Sequence, residues 1–181
     1  MSPFTGVKEP QEVMLKFAEV FFPVYKIKNF DQLDIPFRCV AADLSNGEAV
    51  VMKSGDLPFA VRSSMAIPGV FEATNYGSTK LVDGGIVRNF PVKDVIDMGA
   101  DYVIGVNLFS GLSEPNKLTT AVDVMMQITN FRDAEDLIDE KRQCDMIIEP
   151  DVTGYNAASF GSCNEIFAIG DSAGNDFLPL F

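Results

Sequence analysis

From Pro91 onward helical and extended signals alternate, and this alternation narrows the choice of fold further than any other feature of the chain. Residues 92–98 lie between Pro91, well placed at a helix start, and Gly99, just past a helix end. Residues 102–108 form a continuous apolar run, as in a buried parallel strand. Residues 111–117 read as loop, and residues 118–142 hold helical periodicity with a break expected near Asn130. Residues 145–149 read as a second short buried strand, and residues 165–177 as a final helix. Strands alternating with helices imply an α/β domain.

The first half carries the same two kinds of signal. Val13, Met14, Phe17, Val20 and Phe21 recur at the spacing of one helix face, and Pro23 limits that helix. Residues 35–43 read as a strand, Asn46-Gly47 as a hairpin turn and residues 48–53 as the return strand. Residues 56–65 read as a helix that Asp56 can cap and Pro68 ends. Residues 80–83 form a short strand that runs into Gly84-Gly85. No internal repeat, low-complexity segment or linker interrupts the 181 residues, so they read as one domain. Apolar residues make up 47% of the chain, enough for a substantial core.

Composition excludes several functions. The 14 basic and 26 acidic residues leave a net charge of −12, and no basic stripe overrides it. Nucleic-acid phosphates and anionic membrane surfaces should therefore repel the chain. No apolar run approaches the ~20 residues needed to span a bilayer. The first ten residues show no basic and apolar leader pattern. Histidine is absent, which excludes a Ser-His-Asp triad, a Cys-His pair and any His-ligated metal within the chain. Cys39, Cys144 and Cys163 are far apart and form no C-x-x-C pair, so they read as buried free thiols. Asp133, Glu135, Asp136, Asp139 and Glu140 lack calcium-loop spacing. They read as a solvated helix face, partly paired with Arg132, Lys141 and Arg142. Neither a metal nor a cofactor is expected.

Three segments could carry chemistry. In Asp83-Gly84-Gly85 a carboxylate stands where a strand ends, beside two glycines that leave open space. Ligands of open α/β sheets bind at that end of a strand; an Asp-Gly turn with no chemistry is the competing reading. The second segment, Gly170 to Gly174 around Ser172, matches the G-x-S-x-G pattern of a nucleophile elbow. Only seven residues follow Gly174, too few for the supporting helix, so Ser172 is expected in a helix with negative φ. The third, residues 60–71, reads as a helix C-terminus, a Pro-Gly turn and an apolar return. Its Ser63 and Ser64 have no activating base in the sequence.

Taken together, residues 35–48, residues 60–71 and residues 81–92 resemble the patatin-like phospholipase family. Residues 60–71 are similar to its A-x-R-x-S-x-A-x-P-x-x-F segment, and residues 81–92 to its D-G-G segment followed by N-x-P-V. The resemblance is closest to bacterial members and clearest over residues 30–108. It implies a lipid acyl hydrolase with a three-layer α/β/α domain and a Ser-Asp dyad, which suits a chain without histidine. The family's dyad aspartate maps onto Asp83, with Gly84 and Gly85 as the supporting turn, and Arg62 falls on a position read as structural. The family's Gly-rich oxyanion loop and its elbow precede these segments, and no match to either stands before residue 30.

The expectation is thus a patatin-like domain truncated at its N-terminal side, supplying the base but neither nucleophile nor oxyanion hole. Its partners would be a lipid or acyl ester substrate and the missing N-terminal segment or another subunit. A non-catalytic binding module derived from that fold is the alternative, and a permuted hydrolase pairing Ser172 with Asp83 a third. Asp83 is expected at the C-terminal end of a strand, facing a cleft open on one side.

Overall fold

The computed structural model of the chain describes residues 10–109, 111–155 and 159–177. The leader reading of the first residues lies outside them, as do the side chains of Arg132, Asp133 and Glu135. Two compact units divide the chain, Met1–Asn89 and Phe90–Phe181. Both combine helices with strands, so the fold is α/β.

The first unit opens with α1 (Pro10–Phe21). Val13, Met14, Phe17 and Phe21 are half-buried along one face, whereas Val20 is exposed. Four strands follow: β1 (Cys39–Asp43), β2 (Ala49–Met52), β3 (Thr74–Tyr76) and β4 (Thr79–Asp83), with α2 (Leu57–Ser64) between β2 and β3. Their order in the sheet is β2-β1-β4-β3, and every pairing is antiparallel. Asn46-Gly47 makes the expected hairpin, with Gly47 at φ 74°. Asp56 caps α2 by accepting from the Phe59 amide at 3.0 Å.

β1 begins at Cys39 rather than at residue 35. Pro36 has no N–H to give a ladder, and the Phe37 amide bonds back to the Phe30 carbonyl, leaving Ile35 exposed. The core joins Phe30, Ala41, Met52, Leu57, Ala60 and Leu81. Ala41 on β1 and Ala60 on α2 are both fully buried. Helix and sheet therefore meet over small side chains.

The second unit holds α3 (Val92–Asp97), β5 (Ile104–Val106), α4 (Ala121–Lys141), β6 (Met146–Ile148) and α5 (Cys163–Asn175). β5 and β6 pair in parallel. The apolar run 102–108 is not buried on both faces, however. Tyr102, Ile104, Val106 and Leu108 are exposed, while Val103 and Asn107 are buried on the other side. That side is covered: the Phe90 ring and the Cys144 thiol stand against Gly105, where a Cβ would meet the ring at 2.4 Å. α4 runs through Asn130 without a break. An interior Asn costs only about 0.7 kcal/mol, and the Thr120–Asp123 capping box secures the start of the helix. No helix among the described residues is long and apolar enough to cross a membrane.

Candidate active site

Asp83 is the last residue of β4, as its sequence position suggested. It stands opposite Ala41 on β1. β1 continues beyond this pair toward Val40, but the chain leaves the ladder and turns into a short 3-10 helix, Gly84–Ile86. Asp83 caps that turn, its Oδ1 accepting from the Gly85 amide at 2.8 Å. Its own amide donates to the Ala66 carbonyl at 3.1 Å. The carboxylate is half-buried, and burial raises its pKa above the ordinary value against the opposing pull of the Gly85 N–H. A carboxylate so held is a better proton acceptor than an exposed one.

The two glycines are needed for different reasons. At Gly84 an added Cβ would lie 2.2 Å from the Val40 carbonyl oxygen, so only glycine allows this close approach of backbone to backbone. At Gly85 it would meet two side-chain oxygens, Asn89 Oδ1 at 3.0 Å and Asp83 Oδ1 at 3.1 Å. A side chain at position 85 would therefore press on the carboxylate and on the Asn89 amide oxygen near it.

Three consecutive residues of α2 fasten three different segments around this turn. Arg62, 3% exposed, donates through Nη2 to the Glu72 carbonyl at 2.9 Å and lies 5.2 Å from the centre of the Phe71 ring. Ser63 is fully buried and shares a hydrogen bond of 2.7 Å with Thr74 of β3. Ser64 Oγ donates to the Val40 carbonyl at 2.6 Å. Ser63 and Ser64 thus have structural partners, and Ser64 stands directly behind the Gly84 turn. No signal in the sequence pointed to this role, because nothing local couples residue 64 to residue 40.

Ser172 lies inside α5, together with Gly170 and Gly174. Among the described residues no non-glycine has positive φ, so Ser172 occupies ordinary helical backbone and not a strand-to-helix corner. The elbow geometry is not formed there. The thiols are free, but only partly as expected: Cys163 is exposed, and Cys39 and Cys144 are half-buried. Burial pushes the Cys39 thiol up to about 11, with the Ser64 contact opposing, so it holds no reactive thiolate near neutral pH. Among the described residues no group of three or more acidic or cysteine side chains could hold a metal ion.

Residues 16–96 match the family described as patatin-like phospholipase. Over this segment the chain is similar to the patatin-like phospholipases. The matched stretch contains α2, the whole four-stranded sheet and Asp83. An uncharacterized NTE family protein of Mycobacterium tuberculosis is 33% identical over 103 residues, which are 57% of this chain and 28% of that protein. Its counterpart in Mycobacterium bovis has the same identity and coverage. Lysophospholipase NTE1 of Candida albicans is 22% identical over 184 residues, covering 86% of this chain and 13% of the fungal protein. The chain thus spans less than a third of the length of these relatives.

Proposed function

We propose that the patatin-like segment supplies Asp83 as the base of a Ser-Asp dyad in a lipid acyl hydrolase. One observation carries this reading: a half-buried carboxylate with a raised pKa ends a strand and is held by the amide of the glycine turn that follows it. A base poised upward from ~3.9 is what proton abstraction from a serine requires near neutral pH. The match of residues 16–96 to a phospholipase family supports the reaction class. The fungal relatives' name, lysophospholipase, points to a glycerophospholipid with an acyl ester as substrate.

In this reading residues 1–181 form part of one patatin-like domain. The nucleophilic serine and the oxyanion donors come from sequence other than these residues, whose single G-x-S-x-G lies within α5. That same observation favours a second reading, a non-catalytic binding module built on the fold. Hydrolysis of a lysophospholipid and of a short activated ester separates the two. In the protein at its natural length, Asp83→Asn should lower kcat at least about a hundredfold, since asparagine keeps the shape but cannot accept a proton. Residues 1–181 by themselves should give no hydrolysis above a buffer control. Unchanged turnover in Asp83→Asn would reduce Asp83 to a turn former and leave the binding-module reading.

A further inference from the structure

The Val40 carbonyl occupies a special place in the first unit. It belongs to β1, one residue beyond the Ala41–Asp83 pair, where β4 has already left the ladder. The ladder there would next set Val40 opposite Gly84, which is already in the turn. The carbonyl instead accepts the Ser64 hydroxyl at 2.6 Å. It also forms the surface on which Gly84 rests, since a Cβ at Gly84 would be only 2.2 Å from this oxygen. Two bonds from the end of α2 and the residues just past it thus bear on the turn: Ser64 Oγ donates to the Val40 carbonyl, and the Asp83 amide donates to the Ala66 carbonyl.

We propose that Ser64 is a positioning residue for Asp83: its hydroxyl fixes the Val40 carbonyl against which Gly84 closes the turn that presents the carboxylate. Ser63, its neighbour in the chain, provides the contrast. It is more deeply buried, yet its hydroxyl ties Thr74 of β3 and the Phe59 carbonyl of α2 rather than the Val40 carbonyl. Loss of either hydroxyl costs stability, but only loss of Ser64 moves the carboxylate. The catalytic meaning of this role rests on the reading of Asp83 as the dyad base; the positioning itself does not.

The test is an NMR titration of the Asp83 side-chain carboxyl together with the Gly85 amide resonance, on the protein at its natural length. In Ser64→Ala the Asp83 midpoint should move down toward the ordinary carboxylate range as the turn loosens and water enters. The Gly85 amide proton should move upfield as its bond to Asp83 weakens. Ser64→Thr, which keeps the hydroxyl, should retain both signals, and Ser63→Ala should lower the urea midpoint while leaving both in place. If Ser64→Ala does not fold, Ser64→Cys carries the test, because a thiol fills the space but donates weakly. Unmoved signals in a folded Ser64→Ala or Ser64→Cys protein overturn the proposal, and so does an equal shift in Ser63→Ala. Turnover gives a separate reading: Ser64→Ala should lower kcat about ten- to a hundredfold with KM within about twofold. Full turnover in Asp83→Asn would remove the base from the mechanism and leave the NMR result standing.

Discussion

Gly84→Ala tests whether the Asp83 turn is as tightly built as its geometry indicates. The added methyl would sit 2.2 Å from the Val40 oxygen and 2.5 Å from its carbonyl carbon. Optimal contact between carbon atoms is about 3.5–4.0 Å, so the overlap exceeds about 1 Å. Both atoms belong to the backbone of β1, whose residues pair with β2 on one side and β4 on the other. No side-chain rotation relieves such a clash; the turn or the strand must move. Gly84 lies outside the left-handed region, so alanine brings no dihedral penalty. It even regains about 0.4–1 kcal/mol by restricting the unfolded chain. Overpacking of this kind costs about 1–3 kcal/mol, and a backbone collision belongs at the upper end. The net destabilisation is then about 2 kcal/mol.

Urea unfolding reads this directly. With a slope of about 2 kcal/mol/M, the midpoint should fall by about 1 M while the slope itself stays unchanged. Gly85→Ala is the matched control. Its methyl meets only the side-chain oxygens of Asn89 and Asp83, at 3.0 and 3.1 Å, and both can swing aside. The stability cost should remain under about 1 kcal/mol. Turnover should nevertheless fall, because the displaced group is the carboxylate. A Gly84→Ala protein within about 0.5 kcal/mol of the parent, or a larger loss in Gly85→Ala, would refute the reasoning.

Asp83→Asn should stabilise the fold increasingly as pH rises. A raised folded-state pKa means stability that is fully present below the ordinary carboxylate value and lost as pH rises through the raised one; urea melts at a series of pH values should show asparagine removing that loss. Gly77→Ala, at φ 57° in open space between β3 and β4, should cost about 1–2 kcal/mol from backbone strain alone, read as a thermal or urea shift. Leu81→Ala empties a fully buried core position and should cost about 2–5 kcal/mol by urea unfolding. Asp56→Ala removes the α2 cap and should cost about 1 kcal/mol by the same measurement.

The features visible in the sequence were those made by neighbours in the chain. The Asn46-Gly47 hairpin, the Asp56 cap, the Gly99 helix end and the short strand leading to Asp83 each follow from a few adjacent residues. β3 was not visible. Its three residues Thr74–Tyr76 carry no apolar alternation, and the strand exists because the Gly77 turn folds it back onto β4. Apolar content misled at residues 102–108, where the run has one covered and one exposed face. At the site, the carboxylate and its glycines were legible as a motif. The bonds from Ser64 to Val40 and from Asp83 to Ala66 were not, because they join residues 24 and 17 positions apart through a tertiary contact.

The segment around α2 shows why a spaced motif can carry more than a helix face. Residues 62, 63 and 64 are successive, so they point in different directions around the helix. Each reaches a different segment: the Glu72 carbonyl, Thr74 of β3 and Val40 of β1. Ala66, just past the helix, takes the Asp83 amide. A single short helix thereby sets the positions of β1, β3, β4 and the connection into β3. Arg62 bears the cost of this arrangement, since its Nη1 is buried without a hydrogen-bond partner among the described residues. An unpaired buried donor costs about 1–3 kcal/mol, partly offset here by the Phe71 ring beneath the guanidinium. A lysine at position 62 could reach one partner but could not both stack on the ring and keep the fork aimed at Glu72. The arginine therefore acts as a strut for the segment that leads from α2 into β3, one step removed from the Asp83 turn itself.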